Sequence, residues 1–147
     1  MYNHILVPTD GSDLAQKGVD HALSLAKALG SKVTIVTATE PFAAGAYSEG
    51  WLSNPEDFQR YETERTRSAR EVVEKVKTAA EKMGVGAATE HIADRTAATA
   101  ILETAKRLGC SLIVMSSHGR RGVSRLLLGS QTAEVLAHSP DPVLVVR

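Results

Sequence analysis

The sequence predicts an α/β fold, a single domain over residues 1–147 with a five-stranded, mostly parallel sheet flanked by helices. Three observations predict it. Short β-branched runs alternate with longer segments whose apolar residues recur at helical spacing. Glycine closes each of the first three helical segments, at Gly30, Gly84 and Gly109. No internal repeat or low-complexity tract breaks the alternation. With 147 residues and 43% hydrophobic side chains, the chain can bury a real core.

Taken in order, Ile5–Val7 is an apolar run that stops at Pro8, and Thr9-Asp10-Gly11-Ser12 supplies turn and cap chemistry. Leu14, Val19, Ala22, Leu23, Leu25, Ala26 and Leu29 then mark a helix ending at Gly30. Val33–Ala38 (VTIVTA) reads as a second strand. Pro41–Pro55 holds Gly45, Gly50, Ser48, Ser53 and Asn54 and reads as a loop or lid, with Phe42, Tyr47 and Trp51 able to pack down. Glu56–Met83 predicts a long helix. Its polar first half, Glu62–Glu71, reads as a solvated face laced with i,i+4 pairs, and Val72, Val73, Val76, Ala80 and Met83 form its apolar face. Gly86–Ile92 is a weaker third strand, Thr96–Leu108 a helix, Ser111–Ser116 the fourth strand, Gln131–His138 a helix and Val143–Val146 the last strand, after Pro140 and Pro142.

The charge balance, 17 basic against 17 acidic residues, offers no general attraction to nucleic acid or an anionic membrane. A lone Cys110 excludes an internal disulfide framework and reads as packed rather than reactive. No apolar stretch approaches the roughly 20 residues of a membrane span. The opening MYNHILVPTDGS shows no basic region followed by an apolar signal core, so a cytoplasmic protein is expected. His4, His21, His91 and His138 are scattered without metal-ligand spacing, and no metal site is expected.

The stretch between the fourth strand and the last helix, SSHGRRGVSRLLLGS (Ser116–Ser130), carries the most chemistry. It holds Gly119, Gly122 and Gly129, a hydroxyl at Ser130, and Arg120, Arg121 and Arg125. Glycine lets an anion approach backbone N–H groups, and a helix N-terminus offers unpaired donors with a favourable dipole. Two readings stand: a nucleotide-phosphate loop, or a glycine-rich connection with solvated arginines. In parallel α/β folds ligands bind beyond the carboxyl ends of the strands, where the strand order reverses. If strands one and four are neighbours, Pro8-Thr9-Asp10 and Ser116–Ser130 face one crevice. Asp10 reads equally as an acid at a helix N-terminus or as a polar ligand contact. Arg120 and Arg121 can pair with phosphate or stay solvated.

Pro8-Thr9-Asp10-Gly11-Ser12, SSHGRRG, LLLGS and the terminal PVLVV, in that order, resemble the universal stress protein family over essentially the whole chain. ATP-binding members carry G-x-x-G-x9-G-[ST] after the fourth strand. Here Gly119 and Gly129, with nine residues between them, match the second and third glycines, and Ser130 follows. Ser116 replaces the first glycine, and its Cβ narrows the approach to a phosphate or ribose. The resemblance implies that Pro8, Thr9 and Asp10 border adenine and ribose, with Ala38 beside the adenine. It implies that Met115 and Ser116 line the nucleoside, and that His118 and Gly119, with Arg120 next to them, border ribose and phosphates. Gly129, Ser130, Gln131 and Thr132 would receive the phosphates through backbone N–H groups and hydroxyls. The implied ligand is ATP, with Mg2+ accompanying it. The resemblance also implies a homodimer through the C-terminal strand, at Val143, Leu144 and Val145.

The expected function is therefore a nucleotide-dependent stress-response or signalling module. The alternative is a nucleotide-free dimeric interaction protein of the same fold, the reading that Ser116 favours. Turnover is not expected. There is no GxxxxGK[ST], GxGxxG or SGGxDS-type loop, and only His118 and Asp10 offer themselves as a base. A phosphoacceptor domain would need a lysine after the fifth strand, and the chain ends at Arg147.

Overall fold

The computed structural model describes residues 1–41, 54–119 and 128–147. Strands β1 (His4–Pro8), β2 (Lys32–Thr39), β3 (Ala87–Ala93), β4 (Leu112–Ser116) and β5 (Val143–Val146) form one sheet in the order β3-β2-β1-β4-β5. Every pairing is parallel, so the sheet is wholly rather than mostly parallel. Helices α1 (Asp13–Leu29), α2 (Pro55–Lys82), α3 (Ala97–Leu108) and α4 (Ser130–His138) connect the strands.

Alternation along the strands splits the core in two. Ile5, Val7, Val33, Ile35, Leu112 and Val114 face α1 and α2, meeting Val19, Leu23, Val73 and Val76. Leu6, Val36, Ile113 and Met115 face the other way, onto Ala98, Ile101 and Ala105 of α3 and Val135 of α4. The chain winds outward from β1 to β3, then returns to β4 beside β1 and winds outward again to β5. Reversing the winding direction moves the crossover helices to the opposite face. The third strand, weak in sequence, is a full element over Ala87–Ala93 because β2 pairs with it along its whole length, from Val33↔Ala87 to Thr39↔Ala93.

Local chemistry sets the helix ends. Ser12 caps α1 by accepting from Ala15 N–H, Asn54 caps α2 by accepting from Asp57 N–H, and Thr96 caps α3 by accepting from Thr99 N–H. Each such cap contributes about 1 kcal/mol. Pro55, expected at the end of the loop, is instead the first residue of α2, where its fixed φ suits a helix and its missing N–H costs nothing. Of the expected lid, residues 42–53, including Phe42, Tyr47 and Trp51, lie outside the described residues. The polar half of α2 is the solvated face expected. Arg67 pairs with Glu64 and Glu71 while all three stay well exposed, so these pairs add little stability.

Gly18 is a contact that the apolar periodicity of α1 does not reveal. A Cβ on it would stand 2.8 Å from Ser116 N and 3.1 Å from Met115 C, both backbone atoms of β4. The helix therefore lies against the strand that leads into the glycine loop. Cys110 is buried as expected, and burial, reinforced by Asp141, pushes its thiol up to about 11. His4 is 8% exposed, its Nε2 lies 2.8 Å from Thr34 Oγ1, and its buried Nδ1 has no hydrogen-bond partner among the described residues. Burial, then the charge of Lys32, holds His4 below the ordinary histidine range. His91 is lowered in the same way by burial, Arg70 and Arg65.

Two outcomes follow from this packing. Gly18→Ala gains about 1 kcal/mol of helix propensity. It must also displace backbone held between two neighbouring strands, a cost of about 1–3 kcal/mol or more. The clash wins, and denaturant unfolding should show a net loss, whereas Gly86→Ala, with open space around its Cβ, should stay within about 0.5 kcal/mol of wild type. The second outcome concerns pH. The unfolded chain takes up protons at His4 and His91 from about pH 6.5 downward, whereas the folded chain resists them. Stability should be flat above that pH and fall as pH drops from about 6.5 towards 5. A His4→Gln protein should lose less of its melting temperature over this interval. An equal or steeper loss would contradict the assignment.

Candidate functional site

Between β1 and β4 only Ile5↔Leu112 and Leu6↔Ile113 are in register, while β1 stays paired with β2 to Pro8 and β4 with β5 to Ser116. Beyond Leu6 the two central strands part. A cavity of ≈ 300 Å³ opens there, between their carboxyl ends, where the strand order reverses. That volume is at the lower end of the range of small-molecule sites.

The cavity gathers Pro8, Thr9, Asp10, Ala38, Met115, Ser116, His118, Gly119, Gly129, Ser130, Gln131 and Thr132 on one wall or another. Among the residues singled out in the sequence, Arg120 lies outside the described residues, as do Arg121, Gly122 and Arg125. The structure adds Val36, Thr37 and Glu40 from β2 and its exit, Ala15 from α1, and Ala97, Ala100 and Ile101 from α3. The α3 residues carry no sequence signal of their own, because their spacing is that of any core-facing helix.

Part of the cavity lining is apolar: Val36, Ala38, Ala100, Ile101 and Met115. The exit of β2 is tied down: Arg65 of α2 donates to the Glu40 carbonyl oxygen, and Thr39 Oγ1 lies 3.0 Å from His91 Nε2. The polar part of the lining is organised by backbone. Thr9 N–H donates to the Val36 carbonyl and Thr9 Oγ1 accepts from Gly11 N–H. Asp10 is not the cap of α1, a place taken by Ser12. Its Oδ1 accepts from Ser12 N–H at 2.9 Å and so shapes the turn into the helix. Its Oδ2 lies 2.8 Å from where a Cβ on Gly119 would be. Gly119 thus leaves room for the Asp10 carboxylate, a steric reason for glycine and not a conformational one.

The loop is clasped at both roots. Ser116 Oγ donates to the His118 carbonyl at 2.6 Å, Thr132 Oγ1 donates to the Ser116 carbonyl at 3.1 Å, and Gly129 N–H donates to the Ser117 carbonyl at 2.9 Å. The hydroxyl that replaces the expected glycine is therefore engaged by its own loop. His118 is buried, with Nδ1 3.1 Å from Ser117 Oγ, and packs close to Gly129.

Gly129 makes α4 different from the other described helices. It occupies the cap position and offers no side-chain acceptor to the first turn. The first intrahelical bond runs from Ala133 N–H to the Gly129 carbonyl, so the N–H groups of Ser130, Gln131 and Thr132 precede the hydrogen-bonded ladder. With the helix dipole behind them, these donors suit an anionic oxygen. Among the described residues no group of three His, Cys, Asp or Glu side chains is placed to hold a metal ion. No described helix is long and apolar enough to cross a membrane.

Comparisons with known proteins agree with this architecture. The model of the universal stress protein family matches residues 1–147. Universal stress protein YxiE of Bacillus subtilis is 35% identical over 149 aligned residues, spanning all of both chains. The solved structure of MJ0577, a universal stress protein of Methanocaldococcus jannaschii, superposes with a TM-score of 0.82 at 27% identity, covering 99% of this chain and 96% of that one. A universal stress protein solved in complex with cAMP superposes with a TM-score of 0.68 at 25% identity, covering 99% and 97%. With its winding, its central crevice and a family match over its full length, the chain belongs to the universal stress protein family.

Proposed function

We propose that this protein binds ATP in the crevice between β1 and β4 and acts as a nucleotide-dependent stress-response or signalling module. One observation carries the reading: α4 presents an N-terminus without a side-chain cap to a cavity that is also lined by apolar side chains. A nucleotide combines the matching groups. Its base suits the apolar lining of Val36, Ala38, Ile101 and Met115, its ribose the stretch by Thr9 and Asp10, and its phosphates the donors from Ser130 to Thr132. The family relative solved with cAMP supports an adenine nucleotide as the ligand class. Mg2+ would come with the phosphates, because Asp10 borders the cavity and Mg2+ is commonly held by one or two carboxylates plus phosphate oxygens. The role of the site is holding, not turnover, and no residue is assigned to catalysis.

The second reading, a nucleotide-free interaction protein, draws on Ser116. Its hydroxyl is turned onto the His118 carbonyl, and the cavity stays open beside it, which favours binding. In either reading the protein acts as a homodimer through β5. That strand ends the sheet, and Leu144 on it is 40% exposed between the half-buried Val143 and Val145. An apolar edge invites pairing with a second copy.

Calorimetric titration of nucleotide-stripped protein with Mg-ATP should show saturable binding. Gly129→Asp should abolish it by placing a carboxylate at the α4 cap, and Gly119→Ala should weaken it by displacing Asp10. No heat with wild type at millimolar ATP would reject the reading in favour of the nucleotide-free protein. For the dimer, Leu144→Lys should shift the sedimentation mass from dimer to monomer. A wild-type monomer, or a variant that stays fully dimeric, would remove β5 as the interface.

A further inference from the structure

The side chain of Gln131 does something that its backbone role does not account for. It extends from the first turn of α4, and its Oε1 accepts from Ala98 N–H at 2.8 Å, in the first turn of α3. One side chain thus ties together two helix N-termini that border the same cavity, since Ala97 and Gln131 both line it. The bond also settles the carboxamide's orientation. An amide nitrogen cannot accept, so the oxygen must face Ala98 and the NH2 must face the other way. Gln131 is half-buried and lines the cavity, so its NH2 can meet a ligand held beside the open N–H groups of α4.

From this geometry we infer that the Gln131 carboxamide is an anion-directed group of the site, its oxygen engaged by α3 and its NH2 donated to a phosphate oxygen of the bound nucleotide. This rests on the nucleotide reading above. The chemistry of the alternatives supports it. A glutamate at this position would suit the dipoles of both helices and accept from Ala98 N–H more strongly. It would also set a negative charge against the ligand's own. Glutamine keeps the tie between the helices and adds a neutral donor.

Gln131→Glu separates the two roles because it keeps the acceptor for Ala98 and removes the donor. It should melt at or above the wild-type temperature and bind adenosine as wild type does. It should bind Mg-ATP at least about 10-fold more weakly, the loss expected of a charge-assisted hydrogen bond. Gln131→Ala should weaken Mg-ATP and also melt about 2–4 °C lower, because the tie to α3 is gone. Unchanged Mg-ATP affinity in Gln131→Glu would overturn the inference. So would adenosine and ATP weakening together, which would show that the side chain only shapes the cavity. An unchanged melting temperature in Gln131→Ala would overturn the tie that orients the NH2. A wild-type protein that binds adenosine but gains nothing from the phosphates would reject the anion-directed role while leaving the nucleoside site standing. One that binds neither would reject the nucleotide reading itself, and the Gln131 role with it.

Discussion

The junction of β1 with β4 is the constraint from which the rest of this molecule follows. Two registered residue pairs, Ile5↔Leu112 and Leu6↔Ile113, join the outward-winding arm of the sheet to the returning one. Because they stop at Leu6, the carboxyl ends of the strands part and leave a crevice. Because the winding reverses there, α3 and α4 lie on the face opposite α1 and α2, and the first turns of α1, α3 and α4 all border one cavity. The junction tolerates little else. Helix α1 packs so closely on β4 at Gly18 that one added methyl group would meet the backbone of Met115 and Ser116. A core substitution there acts on the site, since Ser116 begins the loop and Asp10 to Ser12 lead into α1.

Where the polar groups are spent decides what the crevice can hold. Ser12, Asn54 and Thr96 each satisfy one N–H in the first turn of their helices, and Gln131 takes a further one in α3. Gly129 leaves α4 open. Around that opening the loop spends its hydroxyls and carbonyls on itself, Ser116 on His118, Thr132 on Ser116, and Gly129 on Ser117. Such a clasp holds backbone donors in place before a ligand arrives, which lowers the ordering cost of binding. The serine that departs from the glycine motif is part of this clasp.

The strand–helix alternation, the glycine stops and both site loops are legible in the sequence because each depends on neighbours a few residues away. Gly30 and Gly109 end their helices in left-handed conformations, as their positions after the last apolar residue suggest. Asp10 is a partial success. Its place beside the loop was legible, but Ser12, two residues on, takes the cap. The sequence offers Gly119 as a place for an anion to approach, and in the structure it makes room for Asp10, a residue more than a hundred positions away. Ala97, Ala100 and Ile101 lie in a segment whose sequence predicts only a helix, because periodicity says that a face is buried and not what it is buried against. The sequence points only to the backbone of Gln131, since its side chain's partner lies 33 residues earlier.

The sequence by itself determined the element order, the parallel α/β class and the two segments that meet at the crevice. These are set by local propensity, capping and periodicity, and by the rule that a reversal of strand order makes a binding crevice. Only the tertiary structure decided that Gly18 must be glycine, that α3 supplies the apolar wall, that Asp10 fits against Gly119 and that Gln131 spans two helices. Each of these is a contact between residues distant in the chain, and steric exclusion and hydrogen-bond geometry fix it only once the sheet has brought both partners to the same end.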